Sequence, residues 1–405
     1  MMRAGPSQEE IRRHNLGILL RYIHLHGPTS RTVLADRLGL NRSTIMALTA
    51  ELTAAGLVRE ELPSETGRAG RPSLVVRPES TRVYVLAFDV GVDRIAAARV
   101  GLGGTILDRR EAVRDRSGFD VDEVVASLAG FAREMLRKAD PGTICVGAGA
   151  AFCGVVRRGD GLVRFGPNIG QTEVPFGAAL TRELDLDLTV SVANDANLGA
   201  LAEHQRGIGT RCQDLIYLHG DVGIGGGIIV GGRLLGGEGG YGGEVGHMII
   251  NPYGRACGCG SAGCLEAEVG ERALLSAAGR EVSGDLIGRD AIRAIVDAAE
   301  RGDALARDAL HRVGDWLGFG VANLVNIFNP EMVIFGGILR EIYLSSAAQV
   351  RSRLKINTMA ASREGLRLRT SDLGDDAPLV GAAELAFTEV LTSPLEVLTK
   401  ATEAG

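Results

Sequence analysis

Three cysteines spaced Cys-x-Cys-x4-Cys (Cys257, Cys259, Cys264) follow His247 by ten residues, inside the glycine-rich stretch 236–268. So many glycines supply little side-chain bulk, so apolar packing alone cannot fix such a loop. One imidazole and three thiolates around a single Zn²⁺ can, and a set that leaves no open position is structural rather than catalytic. A disulfide pair with spare thiols is the alternative reading, and a reducing compartment argues against it. Glu244 and Glu266 bracket the cluster. The cation would then shape a pocket whose entrants are read by nearby carboxylates and by His247.

The same stretch runs Gly246-His247, six residues, Gly254, two residues, then Cys257-Gly-Cys259-Gly260-x-x-Gly263-Cys264-x-Glu266. At every fixed position this resembles the zinc signature of the ROK family, a bacterial group of sugar-responsive repressors and sugar kinases. The resemblance implies that Asn168, Asn194, Asp195, Glu244, His247 and Glu266 form a sugar-binding set. It also puts Asp195 where the kinases carry the carboxylate that takes the proton from the attacked hydroxyl. The residues themselves suit that role. Asn194-Asp195-Ala196-Asn197 stands between an apolar strand (188–192) and a helix (198–205), at a carboxyl end where open α/β sheets collect ligands. Carboxylates and amides match the fixed donor and acceptor angles of sugar hydroxyls, while a turn with a helix cap is the plainer reading of Asn194 and Asp195. His247 would hold zinc through one ring nitrogen and donate to a hydroxyl through the other. Gln171 replaces the tryptophan that the family commonly carries after Pro-Asn-x-Gly, which changes the edge of the pocket.

The phosphate loops depart further. Kinases of this fold read close to Asp-x-Gly-Gly-Thr-Lys at the first hairpin and Gly-Thr-Gly-x-Gly at the second turn. Backbone N–H groups and a hydroxyl cradle phosphate there. This chain has Asp89-Val90-Gly91-Val92-Asp93-Arg94 and Asp221-Val222-Gly223-Ile224-Gly225. At each loop a hydroxyl is lost and an acid stands at the turn, which repels a triphosphate. ATP is therefore not an expected cofactor, and Arg94 is the candidate to offset Asp93. An ATP-dependent sugar kinase carrying a DNA-binding domain is the rival reading, and a sugar-independent protein-interaction module is a third.

Charge divides the chain. The first 78 residues hold eleven Arg, no Lys and seven acidic residues, a net +4, which leaves −10 of the overall −6 on the remainder. A basic head on an acidic body suits a polyanion partner for the head alone. Within it, residues 8–26 place Ile11, Leu16, Leu19, Leu20 and Ile23 on a helical period, and Gly27-Pro28 ends the run. A second helix follows Ser30 with Val33, Leu34 and Leu38 inward, and Asn41 caps a third reaching about residue 55. Two helices about a Gly-containing turn read as a helix-turn-helix, whose second helix enters the major groove of duplex DNA. With Ile45, Leu48 and Leu52 in the core, Arg42, Ser43, Thr44 and Met46 face the DNA. A hairpin from Val58 returning at 74–76 carries Gly67-Arg68-Ala69-Gly70-Arg71-Pro72 at its tip. Arg68 and Arg71, spaced by small residues, form a thin cationic wing suited to a minor groove.

From about Arg82 the order is strand, strand, strand (83–88, 95–100, 105–110), helix (122–139), strand (144–146). That order points to an α/β fold of the two-lobed actin and hexokinase (ribonuclease H-like) type. A helix over 313–327, a buried strand at 332–335 and Gly336-Gly337 follow; residues 376–383 precede a last helix, and the tail after Ser393 frays. The division expected is a winged helix-turn-helix at 1–79 and a sugar-binding domain at 80–405. Its first lobe takes 80–193 with 381–405, and its second takes 194–380 with the zinc loop at 247–264. No apolar run reaches membrane-span length and no signal core opens the chain, so a cytoplasmic location, nucleoid-associated when DNA-bound, is expected. Together these readings describe a sugar-responsive transcriptional regulator, a repressor of carbohydrate-utilisation genes. It binds operator DNA and a monosaccharide effector and acts as a homodimer or dimer of dimers.

Overall fold

A computed structural model describes residues 7–63, 73–116, 118–280 and 288–403. The head opens with α1 (Gln8–His26), held at its start by a reciprocal box in which Ser7 Oγ accepts from the Glu10 amide and Glu10 from the Ser7 amide. The short β1 (Thr29–Ser30) leads into α2 (Arg31–Leu38), which Gly39 stops at φ +65°. Asn41 Oδ1 then accepts from the Thr44 amide at 2.7 Å and starts α3 (Arg42–Ala54). The strands β2 (Val58–Glu61) and β3 (Val75–Pro78) pair antiparallel, and β1 adds to β3. The wing tip with Arg68 and Arg71 lies outside the described residues.

Leu16, Leu19, Leu20, Ile23, Leu34, Ile45, Leu48 and Leu52 are buried together, whereas Ile11 and Val33, expected inward, are 46% and 42% exposed. Helical geometry gives the reason. At about 100° per residue, Ile11 points some 140° away from Leu16, and Val33 a full 100° from Leu34.

The body begins with β4 (Val83–Val90), β5 (Arg94–Gly101) and β6 (Thr105–Val113), then α4 (Val121–Arg137) and β7 (Ile144–Phe152). A small sheet of β8 (Val155–Val156), β9 (Val163–Gly166) and β10 (Gln171–Val174) precedes α5 (Phe176–Leu184), β11 (Val190–Asn194) and α6 (Asp195–Gln205). The second half holds β12 (Leu215–Gly220), β13 (Ile224–Val230), β14 (Arg233–Leu234), α7 (Leu265–Val269), α8 (Glu271–Ala277) and α9 (Gly288–Glu300). It ends with α10 (Ala304–Phe328), β15 (Met332–Gly337), α11 (Ile338–Asn357), β16 (Arg367–Thr370), α12 (Ala377–Thr392) and α13 (Pro394–Glu403).

Among the described residues two five-stranded mixed sheets, ordered β11-β7-β4-β5-β6 and β14-β13-β12-β15-β16, form the two lobes. On β4, Val83, Val85 and Ala87 face α12, while Tyr84, Leu86 and Phe88 face α4 and α5. Burial on both sheet faces explains why this strand is apolar from Val83 to Phe88. A Cβ on Gly147 or Gly149 of β7 would lie 2.5 or 2.2 Å from the carbonyl oxygen of Ala386 or Ala382, so α12 seats directly on bare backbone. In the second lobe α10 and α11 pack with Ile216, Leu218, Val333 and Phe335. Between the lobes lies α6, with Leu198 in the cluster around α12 and Ala200 against Leu215 and Tyr217 of β12.

Two expectations change at the C-terminus. Residues 377–383 are the first turns of α12 itself rather than a lead-in, since Pro378 at the start of a helix forfeits no bond. The tail after Ser393 does not fray. It forms α13, with Leu398 buried and Glu396 paired to Arg13 of α1 at 2.9 Å. The core of the head is thus continuous with the α12 face of the first sheet. No helix among the described residues is long and apolar enough to cross a membrane.

Candidate functional site

Where β11 gives way to α6, Asn194 is the helix cap and Asp195 the first helical residue. Asn194 Oδ1 accepts from the Asn197 amide at 3.0 Å, and its Nδ2 donates to Gly154 O at 3.1 Å and to Asp195 Oδ1 at 3.0 Å. Asp195 Oδ1 also accepts from the Ala196 amide at 2.7 Å. The plain cap is therefore present, and it aims the Asp195 carboxyl into the space between the lobes. Burial, with Asp89, Asp221 and Glu244 nearby, pushes Asp195 up to about 8. Burial also raises Asp89 and Asp221 to about 6, and it drops His219 to about 4.

The turn 221–225 joins β12 to β13, and Glu266 Oε2 clamps it by accepting from the Ile224 amide at 2.9 Å. A Cβ at Gly223 would fall 2.2 Å from Glu266 Oε2 and 2.4 Å from Asn168 Nδ2, so only bare backbone lets those side chains meet there. Glu244 and His247 come from a single 3-10 turn (Val245–His247) and its preceding residue. Asn168, Asn194, Asp195, Glu244, His247 and Glu266 all line one cavity of about 60 Å³, together with His219 and Asp221. Six positions spread over a hundred residues are brought to one place.

Beside it, a ring nitrogen of His247 and the sulfurs of Cys257, Cys259 and Cys264 all lie within 4.8 Å of one another. Cys257 Sγ is 3.7 Å from His247 Nδ1, and Cys259 Sγ is 3.7 Å from Cys264 Sγ. A tetrahedron with Zn–S near 2.3 Å has edges of about 3.8 Å, whereas a disulfide needs about 2.05 Å. All three cysteines are free thiols. The donor set and its spacing fit one tetrahedral metal ion. The cluster also starts α7, whose first turn delivers Glu266 to the pocket.

A second cavity of about 450 Å³ shares Asp195, His219 and Asp221 with the first and is lined further by Asp89, Asp93, Arg94, Arg289 and Asp375. Arg94 turns to Asp89 at 3.2 Å, not to Asp93. The cation on Asp93 is Arg116, which also reaches Glu271 of the other lobe at 2.8 Å. Across the same cavity Arg289 pairs with Asp375. Sequence reasoning missed Arg116 and the Arg289–Asp375 pair, whose partners stand 23, 155 and 86 positions away with no local signal.

On the head, Arg42, Ser43 and Met46 are exposed on the first turns of α3, and Thr44 is half-buried. Ser43 Oγ donates to Asn41 Oδ1 at 2.7 Å, which ties that hydroxyl to the cap.

The chain resembles known proteins along its length. A MarR family profile matches residues 17–69 and the ROK family profile matches residues 85–389. The xylose repressor of Caldicellulosiruptor bescii is 31% identical over 379 residues, spanning 90% of this chain and 93% of that protein. A solved ROK family transcriptional regulator, described as a homologue of the Escherichia coli MLC protein, superposes with a TM-score of 0.78. It is 27% identical over 97% of this chain and all of its own. A ROK family glucokinase from Streptomyces griseus, solved with glucose and AMPPNP, has a TM-score of 0.62 and 28% identity. It covers 75% of this chain and 99% of its own. An N-terminal MarR-like winged helix thus precedes an actin- and hexokinase-like body, and the chain belongs to the ROK family.

Proposed function

We propose that this protein is a sugar-responsive, DNA-binding transcriptional regulator, a repressor whose operator affinity changes when a monosaccharide occupies the cavity around Asp195. The observation that carries this reading is one continuous chain that joins a helix-turn-helix head to a pocket of six hydrogen-bonding side chains. Residues 1–79 are the reading head. Residues 80–405 are the sensor, with lobes at 80–193 plus 381–405 and at 194–380. A homodimer, or a dimer of dimers, in the cytoplasm would set two α3 helices against successive major grooves about 34–36 Å apart.

In the pocket, Asn168, Asn194, Asp195, Glu244, His247 and Glu266 would meet the sugar hydroxyls, with Asp195 as a hydrogen-bond partner rather than a base. On the DNA, Arg42, Ser43, Thr44 and Met46 would face base edges and phosphates, with Arg68 and Arg71 in the minor groove. His247, Cys257, Cys259 and Cys264 would hold a structural Zn²⁺. When bound, that ion supplies a fixed point for the loop and no chemistry of its own. Sugar binding needs to favour one lobe arrangement by only about 1.4 kcal/mol to change DNA occupancy tenfold.

The rival reading, a sugar kinase with a DNA-binding appendage, has Asp195 in its favour. Against it stand Asp93 and Asp221, the acids at the two altered phosphate turns, both on the wall of the cavity a triphosphate would enter. The test is fluorescence anisotropy on the DNA upstream of the protein's own gene, with and without D-xylose or D-glucose, alongside a coupled assay with ATP. Sugar-dependent affinity without turnover is expected. Turnover that Asp195→Asn abolishes would replace this reading with the kinase. Metal analysis of fresh protein should find one zinc per chain, and chelation should abolish the sugar response; protein that is metal-free as purified would remove the zinc assignment.

A further inference from the structure

The head and the sensor meet at a buried polar junction that none of the pocket residues touches. His24, in the last turn of α1, is fully buried. Its Nδ1 accepts from the Gly103 amide at 2.9 Å, and its Nε2 lies 3.1 Å from Glu384 of α12 and 2.5 Å from Arg206 Nη2. Burial holds His24 below its ordinary pKa, against the pull of Glu384. The next residue to reach this point is Arg206, at the C-terminal end of α6. Its Nε donates to Glu384 at 2.7 Å, and its Nη1 donates to the carbonyl oxygens of His24 at 2.8 Å and Gly103 at 3.0 Å. One guanidinium thus grips the head, the first lobe and α12 at once, in a geometry that suits a planar fork.

Three residues earlier, Glu203 is also fully buried and ties α6 to the rest of the second lobe. It accepts from the Leu373 amide at 3.2 Å and from the Ser371 hydroxyl. The opposite end of α6 is Asn194–Asp195, in the floor of the pocket. Eleven helical residues span only about 16 Å, a single rigid rod. A shift of the second lobe against the first must therefore act on α6 at Glu203, and Arg206 hands the displacement to the C-terminus of α1.

We propose that Arg206 is a positioning residue for the head: through Glu384 and the His24 carbonyl it converts lobe closure around a ligand into reorientation of α1 and the helix-turn-helix. This rests on the function proposed above and names the route of its regulation.

The test uses the full-length zinc-loaded protein as wild type, Arg206→Met and Glu384→Gln. The ligand is whichever of D-xylose and D-glucose binds wild type by calorimetry. Three quantities are read for each protein: sugar Kd, DNA Kd without sugar, and the ratio of DNA Kd with and without saturating sugar. Arg206→Met is expected to keep sugar Kd within threefold and sugar-free DNA Kd within fivefold, while the ratio falls below 2. A ratio that stays within twofold of wild type overturns the proposal. Should Arg206→Met fold poorly, Glu384→Gln, which keeps the shape and loses the charge, is read by the same criteria. A wild-type ratio of 1 with both sugars would instead count against the proposed function, so the two failures are distinct.

Discussion

Two cavities share Asp195, yet they are built on opposite terms. In the smaller one the polar side chains have local supports: Asn194 caps α6, Glu266 clamps the 221–225 turn, and His247 leans on the cysteine cluster. Their remaining lone pairs and protons converge on open space. In the larger one the charged groups are spent on each other, Arg94 on Asp89, Arg116 on Asp93 and Glu271, and Arg289 on Asp375. Groups supported from behind remain available to a ligand, whereas groups paired across a cleft hold the cleft's walls together. The difference separates a recognition surface from a strut, although both are lined by the same residue types.

That contrast can be broken experimentally, beginning with the strut. Arg116→Ala leaves Glu271, whose side chain is only 3% exposed, without its cation. Stripping one partner from such a pair should cost roughly 3 kcal/mol in urea unfolding, with sugar affinity changed less than threefold. If the variant instead loses sugar binding while remaining as stable as wild type, the larger cavity is part of the recognition surface. The reverse is expected of Glu266→Ala, which frees the Ile224 amide and removes a ligand contact. Sugar affinity by calorimetry should fall roughly 100-fold, about 2.7 kcal/mol, with a smaller effect on melting. An unchanged Kd would remove Glu266 from the sugar set.

A third measurement addresses the shared wall. Asp195 titrates near 8 and Asp89 and Asp221 near 6, all above the ordinary carboxyl value. Between about pH 4 and these values the folded protein keeps protons that the unfolded chain has released, so stability must fall as pH rises through that window. Asp195→Asn removes the largest share. It should be stabilised relative to wild type at pH 8, with the gap closing by pH 4. A constant gap would mean that Asp195 is not crowded by its neighbours. The smallest effect belongs on the head, where Arg42→Ala should weaken DNA binding by about tenfold and leave both cavities untouched.

What the sequence makes legible follows from the range of the interactions involved. The Asn41 and Asn194 caps, the Gly39 stop and the Cys/His cluster each depend on neighbours a few positions apart, and each can be read from spacing. The pocket set became readable through a family pattern, because Asn168 and Glu266 meet only when Gly223 lets them approach. Nothing local marks Arg116 for Glu271, or Arg206 and His24 for Glu384, 178 and 360 positions away. Ile11 and Val33 show a limit of another kind. A hydrophobic residue in a helix is inward only if its angle agrees with the core, and a short helix offers few others to fix that angle. The hold of α13 on the body is equally invisible from within its own segment, because it is a contact with α1, 383 positions away.

That last contact has a consequence for anyone who shortens the chain. Because α1 docks against α12 and α13, residues 377–403 are part of the seat on which the head rests. A version of the protein trimmed at Ser393 would leave the head half unmoored, whatever its pocket still held.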